Sequence, residues 1–302
     1  METKKDGQRN GKQSYECKKC KHIFQNKSRE KQKKNLWNRY VLKRQTYQDL
    51  AQEMKKSLWW IKKKLDHCSV KIPQLTPGKT ILVMDTTYFG RGFGVMVFRC
   101  ALRRINLYWK FLPYETIAEY VSGVKYLEQQ GWIVRGIVCD GRRGLFKAFP
   151  GIPMQMCQFH QIQNITKYIT RHPKLEAGKA LRNLVLLLTE TDKESFCFWL
   201  EQWHSTWNYF LQEKIYDPEK KRNKYRHRKL RSAYRSLQTN LPYLFTFYDH
   251  PELSIPNTTN ILDGYFSILK EKVSIHRGVT RLRKMKIIDA LLSFERPQKK
   301  HH

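Results

Sequence analysis

The segment Ile81-Leu-Val-Met-Asp85 decides the fold, because four consecutive apolar residues run directly into an acid. A run this short and apolar predicts a buried strand, which we expect to end at Asp85. A carboxylate at the mouth of such a strand is costly to bury. We therefore expect Asp85 to be exposed or to hold a cation.

The same arrangement recurs at Asp140. A second apolar stretch, Trp132 to Val138, predicts a buried strand that delivers Cys139 and Asp140 at its end. The predicted elements are, in order, the strand at 81–85, a hairpin of Gly94–Leu102 and Leu107–Leu112, a helix opened by the capping box Thr116-x-x-Glu119 and closed by Gly131, the strand at 132–138, a short helix at Gly144–Phe149, and a strand at Met154–Phe159. This order predicts an α/β fold.

If the strands before Asp85 and Asp140 are neighbours in one sheet, the two carboxylates converge. A third acid from a later helix would complete an all-oxygen site, the ligand set that Mg²⁺ prefers. Two such ions about 4 Å apart stabilise the attacking and leaving oxygens of an in-line phosphoryl displacement. The alternative is that each Asp caps a following turn or helix.

The charge balance indicates a polyanionic partner. The 302 residues include 58 Lys and Arg against 26 Asp and Glu, a formal net charge of +32. Because Lys and Arg gain affinity for phosphates by releasing counterions, we expect nucleic acid.

The seven cysteines, of which only Cys17 and Cys20 are close in sequence, argue against a secreted disulfide framework. The N-terminus is polar, and the longest aliphatic run, around Leu184 to Leu188, is too short to span a bilayer. We expect a soluble protein of the cytoplasm that is not associated with a membrane.

Three segments resemble the insertion-sequence transposases of the Mutator-like superfamily. They are Leu82-Val-Met-Asp85-Thr-Thr; Val138-Cys-Asp140-Gly-Arg-Arg-Gly144 followed by Cys157-Gln-Phe-His160; and Thr259-Asn-Ile-Leu-Asp263-Gly-Tyr-Phe-Ser-Ile-Leu-Lys270. The resemblance runs from about Ile81 to Ile287, with a further match over residues 15–66. It implies a DDE-type, ribonuclease-H-like mixed-sheet core with a large all-helical insertion, preceded by a small helical DNA-binding head.

The resemblance also implies roles for single residues. Asp85, Asp140 and Asp263 would hold Mg²⁺ or Mn²⁺. Cys157-x-x-His160 falls on the family's Cys-x-x-His element just before the insertion. We interpret His160 as contacting the scissile phosphate or orienting a carboxylate, with Cys157 packed beneath it; the alternative is a core cysteine and a surface histidine.

The third acid departs from the family pattern. Related sequences usually have Glu where this chain has Asp263, which is one methylene shorter. Glu271, eight residues on, lies on roughly the same helix face and is the alternative ligand. The substitution leaves open a catalytically impaired or domesticated protein that acts as a DNA-binding repressor.

Residues 46–65 predict a helix-turn-helix. Thr46 would cap the first helix and Ser57 the second. The polar face of the second helix carries three candidate DNA contacts, Lys62, Lys63 and Lys64. The alternative is a plain helical hairpin.

Cys17-x-x-Cys20, with Phe24, resembles the second knuckle of a zinc ribbon. Tetrahedral Zn²⁺ needs four ligands, so His22, His67, Cys68 or a second protomer would have to complete the site. Since no Cys or His precedes Cys17, a degenerate or truncated ribbon is favoured over one that holds Zn²⁺.

Two basic tracts, Lys220 to Arg235 and Lys270 to Lys286, are interpreted as phosphate tracks, although such runs are often only solvated faces. Their candidate DNA-binding residues are Arg226, Arg228, Lys229, Arg231, His276 and Arg277.

The predicted domains are a basic segment with a partial zinc-ribbon knuckle (1–34), the helix-turn-helix (35–70), a linker (71–79), a ribonuclease-H-like catalytic domain (80–160 and 251–290) and an all-helical insertion (161–250). The expected function is a DNA transposase that cleaves transposon ends and transfers the strands into target DNA. Both ends must be held together, so we expect a homodimer or larger assembly. A ribonuclease-H-like nuclease is a further alternative.

Overall fold

The computed structural model describes residues 2–9, 12–25, 36–72, 74–276 and 278–293. These residues form two compact units, one of 2–72 with 271–293 and the other of 74–270. Within the described residues, none of the helices combines the length and apolarity that crossing a bilayer requires.

The helices and strands are named in chain order. The N-terminal stretch holds β1 (Thr3–Arg9), β2 (Lys12–Cys17), β3 (Ile23–Gln25), α1 (36–41), α2 (Tyr47–Met54) and α3 (Leu58–Asp66). Next come β4 (Lys79–Tyr88), β5 (Gly94–Cys100), β6 (Asn106–Leu112), α4 (Ile117–Gln129), β7 (Ile133–Cys139) and β8 (Met154–Met156). They are followed by α5 (Gln158–Ile169), α6 (Glu176–Leu186), α7 (Lys193–Gln212), β9 (Lys214–Asp217), β10 (Arg222–Tyr225), α8 (Arg228–Leu244) and α9 (Thr246–Asp249). The last helices are α10 (Asn260–Ile275) and α11 (Arg281–Leu292).

The larger unit is built on a five-stranded sheet in the order β6-β5-β4-β7-β8. The central strand β4 pairs antiparallel with β5 and parallel with β7, so the sheet is mixed. Residues 81–84 of β4 are at most 2% exposed, because helices and loops cover both faces of the strand. The predicted α/β fold with a mixed sheet is therefore confirmed.

The strand β4 continues to Tyr88, so the prediction that it ends at Asp85 is wrong. Its parallel pairing with β7 stops at Val83, whereas its antiparallel pairing with β5 continues through Asp85 to Tyr88. The apolar run stops close to where β4 loses its second neighbour, which made it look like the end of the strand. Asp85 thus lies within a rigid strand.

The helix α4 begins as its capping motif predicts, since the Thr116 hydroxyl accepts a hydrogen bond from the Glu119 amide. The Glu119 carboxylate, however, pairs with Lys110 on β6. Gly123 lets the helix approach the sheet closely, because a Cβ there would lie 2.1 Å from the ring of Phe98. This contact belongs to the apolar cluster between α4 and the sheet.

The strand β8 has only three residues, and α5 begins at Gln158, so the prediction of a strand reaching Phe159 is wrong. The last strand pair joins Cys139 to Met156. Residues 158–169 bury one side at helical spacing, which explains why the backbone leaves the sheet at this point. Cys157 consequently occupies the N-cap position of α5, and His160 lies in its first turn.

The insertion has a helical core of its own. Phe196 and Trp203 of α7 are at most 5% exposed and pack within one apolar cluster. Trp199, in contrast, is 39% exposed. The indole of Trp203 donates to the Ala177 carbonyl, which holds α7 against α6.

The insertion is not all-helical, and this part of the predicted fold class is wrong. After α7 the chain forms an antiparallel hairpin of β9 and β10, with Arg222 opposite Asp217. Pro218 cannot continue a helix, and Lys221 adopts a positive φ of 44° in the connecting turn. The many charges in these strands hid the alternation that marks a hairpin.

The smaller unit combines a three-stranded antiparallel sheet, in the order β1-β2-β3, with helices α1 to α3 and α11. The guanidinium of Arg283 on α11 donates to both carboxylate oxygens of Asp66 at 2.7 Å. Lys286 of α11 donates to the carbonyls of Leu65 and Asp66, and its ammonium lies over the Trp37 ring. Residues 271–290, which the sequence placed with the catalytic domain, thus pack with residues 2–72.

Candidate active site

Asp85 lies on the central strand with 9% of its surface exposed. Its carboxylate accepts a hydrogen bond from the Thr86 amide, with 2.8 Å between oxygen and nitrogen. Burial raises the pKa of Asp85 to about 7, above its ordinary value of 3.8, and the nearby acids Asp140 and Asp263 add to the increase. A buried acid beside two others is a position where a cation would be strongly stabilised.

Asp85, His160 and Asp263 each offer a ligand atom, and these three atoms lie within 4.8 Å of one another. His160 comes from the first turn of α5 and Asp263 from the first turn of α10. Two oxygen ligands on opposite sides of one Mg²⁺ lie about 4.2 Å apart. Small side-chain movements would therefore let Asp85 and Asp263 share one divalent ion. His160 lies close enough to bind that ion when its imidazole is neutral, or to donate a hydrogen bond beside it when the imidazole is protonated.

Asp140 follows β7 directly, as predicted, and its charge acts on Asp85. Its carboxylate accepts a hydrogen bond from the Arg142 amide at 3.0 Å. Among the described residues, however, Asp140 does not join the group of atoms within 4.8 Å. The structure thus brings together two of the three predicted carboxylates with a histidine, and places the third acid beside them.

Glu271, the alternative third acid, lies elsewhere. Its carboxylate pairs with Arg44 at 2.8 Å, in the smaller unit. Asp263, one turn into α10, is the acid that lies beside Asp85. The position of these two side chains favours Asp263 as the third ligand.

Thr259 is the centre of a buried hydrogen-bond network that the sequence reasoning missed. The residue is 0% exposed, and its hydroxyl donates to the Asp263 carboxylate at 3.0 Å. The same oxygen lies 3.3 Å from Nδ1 of His160 and 3.2 Å from Sγ of Cys157. A hydroxyl has one proton and two lone pairs, so it can donate to one neighbour while it accepts from the imidazole.

The Cys157 thiol and the His160 imidazole are polarised against each other. Although burial opposes it, hydrogen bonds from His160 and Thr259 lower the pKa of Cys157. The hydrogen bond with Cys157 raises the pKa of His160 to about 9. At neutral pH and without a metal, His160 is therefore a cation between the buried sulfur and the acids, where it offers a positive hydrogen-bond donor.

A second network surrounds Asp140. The guanidinium of Arg142 pairs with the Glu115 carboxylate at 3.1 Å and also donates to the Glu115 carbonyl at 2.7 Å. Glu115 accepts from the buried Tyr120 hydroxyl at 2.5 Å, and that hydroxyl lies 3.3 Å from the Thr86 hydroxyl. These hydrogen bonds connect Arg142, two residues after Asp140, through the start of α4 to Thr86, the residue after Asp85.

Sequence signals existed for only some of these supporting residues. Arg142 and Thr259 both lie inside the segments that carried the family resemblance, close to an acid in each case. Glu115 and Tyr120 stand at the start of α4, where they resemble ordinary helix residues. Their role follows only from the packing of α4 on the sheet.

The predicted helix-turn-helix residues lie at the surface of the smaller unit or near it. Ser57 caps α3 by accepting from the Trp60 amide at 3.2 Å. Lys62 and Lys63 are exposed and Lys64 is half-buried. The ammonium of Lys63 lies 4.7 Å from the ring of Trp59, which is itself 67% exposed. The polar face of α3 is thus basic and partly aromatic.

Of the two candidate DNA-binding residues near the C-terminus, His276 is described by the structure and is buried. His276 is 5% exposed, and its ring lies 4.0 Å from that of Tyr40, so it packs inside the smaller unit. Its burial follows from the return of the chain onto α1, which the sequence did not predict. Arg277 lies outside the described residues.

Cys17 and Cys20 flank the tight turn between β2 and β3, where the Cys17 amide donates to the His22 carbonyl. Neighbouring backbone and Cys20 hydrogen bonds lower the pKa of Cys17. Among the described residues, no third His, Cys, Asp or Glu joins these two as a potential ligand. The Zn²⁺ site stays a hypothesis with two ligands in place.

Comparisons with protein-family models and with curated proteins find no match to this chain. The functional conclusion therefore depends on the site and on the charge of the chain.

Proposed function

We propose that this protein is a metal-dependent DNA transposase of the DDE type, like the Mutator-like insertion-sequence enzymes that its three motifs resemble. The observation that carries the proposal is the meeting of Asp85 and Asp263 with His160, in a group whose ligand atoms lie within 4.8 Å. Asp140 stands beside them and acts on Asp85 through its charge. A net charge of +32 favours a polyanionic substrate.

We further propose that the sheet is a ribonuclease-H-like core. The support is its mixed order, with one acid on the central strand β4 and another directly after the adjacent parallel strand β7. The third acid comes from a helix that follows the long insertion. Asp85 lies on a strand, Asp263 lies on a helix and Asp140 directly follows a strand, so regular elements hold or adjoin all three acids, as a precise metal site requires.

In the proposed site Asp85, Asp140 and Asp263 would hold Mg²⁺ or Mn²⁺, which would supply Lewis-acid activation of water and of the phosphate. The protonated His160 donates a hydrogen bond to a non-bridging phosphate oxygen as negative charge develops there. Thr259 keeps the Asp263 carboxylate and the imidazole oriented. The Cys157 sulfur, buried behind them, favours the protonated imidazole because its hydrogen bond raises the pKa of His160.

Two displacements follow at one site. In the first, a water oxygen bonds to phosphorus at the transposon end, the P–O3′ bond breaks, and the 3′-oxygen takes up a proton. In the second, the freed 3′-hydroxyl loses its proton and its oxygen bonds to a target phosphorus, the target's P–O3′ bond breaks, and the target's 3′-oxygen takes up a proton. Since two transposon ends take part, we propose that a homodimer or larger assembly acts.

The test is a strand-cleavage assay on duplex DNA that contains the inverted repeats bracketing the reading frame. We expect nicks in Mg²⁺ or Mn²⁺, joined products on added target DNA, and no detectable cleavage by Asp85→Asn or Asp140→Asn, because each variant removes a proposed metal ligand. The exposed Lys125→Gln serves as a control that removes charge away from the site.

The alternatives predict different products. A wild-type chain that binds these ends and never nicks them would indicate a repressor, which the Asp at position 263 favours because the resembling sequences have Glu. Cleavage without joined strands would indicate a ribonuclease-H-like nuclease.

A further inference from the structure

Positive charge in the insertion is concentrated in one short stretch. Residues 161–219 carry seven Lys or Arg against eight Asp or Glu, whereas residues 220–235 carry nine Lys or Arg and no acid. The structure places this stretch on the turn of the β9–β10 hairpin, on β10 and on the first half of α8. The charge therefore lies on one continuous piece of the surface.

Three of the nine cations are held by the protein itself. The guanidinium of Arg231 lies 3.6 Å from the ring centre of Tyr225 and donates to the Leu211 carbonyl. The other two are in ion pairs, Lys224 with Asp217 and Arg226 with Glu213. Two of the predicted DNA contacts, Arg226 and Arg231, thus fasten the base of the hairpin to the helices.

The other six cations are exposed and form no ion pair within the part of the chain that the structure describes. We call them the ribbon patch: Lys220, Lys221, Arg222, Arg228, Lys229 and Arg235. Arg228 and Lys229 lie in the first turn of α8, where the helix dipole makes a cation unfavourable. The acid beside this helix end, Glu213, bonds to the N-cap residue His227 and to Arg226, so Arg228 and Lys229 have no ion pair in the described structure and are available to a partner.

The hairpin also exposes apolar surface on both of its faces. Ile215 and Tyr216 are successive residues of β9, so they point to opposite faces, and they are 40% and 63% exposed. A hairpin of two strands is marginally stable in water by itself. A two-stranded ribbon has the width that the major groove of DNA admits.

We propose that the β9–β10 ribbon is a DNA-docking element that enters the major groove, with the ribbon patch on the flanking phosphates. In this arrangement Lys220, Lys221 and Arg222 at the tip carry the electrostatic contact, and Tyr216 supplies apolar contact beside them. The proposal shares with the proposed function only the premise that the partner is duplex DNA.

The test measures how salt weakens the binding of the full chain to a labelled 30-bp duplex of arbitrary sequence, by fluorescence anisotropy without metal. Each phosphate contact contributes about 0.9 to the slope of log affinity against log salt. The triple variant Lys220→Gln, Lys221→Gln, Arg222→Gln should therefore flatten that slope by about 2 to 3. Tyr216→Ala should weaken binding several-fold and leave the slope unchanged.

The matched control removes three exposed cations of the same unit away from the ribbon, as Lys125→Gln, Arg171→Gln, Lys174→Gln. Circular dichroism melting shows that each variant folds. Equal flattening in the control and ribbon variants would overturn the proposal, as would an unchanged slope in the ribbon variant or an effect confined to a 30-nucleotide RNA strand. Because no strand cleavage is measured, a failure of the transposase proposal leaves this test valid.

Discussion

The Thr259 hydroxyl donates a hydrogen bond to the Asp263 carboxylate, with 3.0 Å between the two oxygens. The same hydroxyl oxygen is 3.3 Å from Nδ1 of His160, so one buried side chain orients two members of the candidate metal site. Partners of this kind fix the direction of a ligand's lone pairs and commonly tune metal affinity. Thr259 is therefore expected to act through Asp263 and His160.

Replacing Thr259 by Val removes this hydroxyl and keeps the shape of the side chain. We expect Mn²⁺ affinity to fall by about 10-fold, and Thr259→Ser to restore it to within about 3-fold of the wild type. Isothermal titration calorimetry of Mn²⁺ measures both. Thr258→Val is the matched control, because it makes the same substitution one residue earlier on the same segment. Equal losses at positions 258 and 259 would contradict a specific role for Thr259.

The choice between the two late acids gives a second prediction. Asp263→Asn should abolish metal-dependent cleavage, because Asp263 lies beside Asp85 and His160. Glu271→Gln should leave the cleavage rate within about 3-fold of the wild type, since Glu271 pairs with Arg44 on the surface and exposed ion pairs contribute about 1 kcal/mol or less. The cleavage rates of both variants, measured with Mg²⁺ and with Mn²⁺ on the same duplex, distinguish the two candidate ligands. An inactive Glu271→Gln variant together with an active Asp263→Asn variant would identify Glu271, and not Asp263, as the third metal ligand.

Much of the sheet could be predicted from the sequence, because its strands are short, apolar and bounded by clear turn signals. The positions of Asp85 and Asp140 followed from two such runs, each of which ends in an acid. The predictions that were wrong concern features that a neighbouring strand determines. Where β4 ends is set by its pairing with β5, and no local pattern in residues 86–88 records that pairing.

The composition of the site could be predicted less well. His160 lies close to Asp85 and Asp263 because α5 begins at Gln158, in a segment that the sequence predicted to be a strand. The β9–β10 ribbon was missed because charged side chains occupy positions where apolar alternation would mark a hairpin. Hydrophobic periodicity records burial, so it gives little information on an exposed ribbon.

A third prediction concerns the packing of α4 on the sheet. Gly123→Ala should lower the free energy of unfolding by about 1 to 3 kcal/mol, because the new methyl group would overlap the Phe98 ring. Gly264→Ala, in α10, is the matched control, because no atom outside its own helix backbone and its chain neighbours lies within 4 Å of the added Cβ. Alanine loses less backbone entropy than glycine on folding, so this variant should raise the free energy of unfolding by up to about 1 kcal/mol. Urea denaturation of both variants compares them. A neutral Gly123→Ala would show that α4 can shift away from the sheet at low cost.

The raised pKa of Asp85 predicts how stability depends on pH without metal. The folded protein holds this proton with a pKa of about 7, whereas the unfolded chain holds it with the ordinary value of 3.8. Since the folded state binds the proton more tightly, stability is gained as the pH falls from 8 through 7 and is lost as it rises. Asp85→Asn removes the ionisation and keeps an oxygen for the Thr86 amide. We expect it to stabilise the protein, and by about 2 kcal/mol more at pH 8 than at pH 5.

Thermal melting with EDTA at the two pH values measures this difference, and Asp249→Asn, an exposed carboxylate paired with Lys193, controls for loss of a surface charge. Added Mn²⁺ should stabilise the wild type at pH 8, because the ion compensates the buried charge, and should have little effect on Asp85→Asn. If the two proteins respond equally to Mn²⁺, the ion binds elsewhere, and the raised pKa of Asp85 then reflects burial without a metal site. A destabilised Asp85→Asn at pH 8 would show that the ionised carboxylate is already compensated within the folded chain, with the imidazolium of His160 as the nearest source of that compensation.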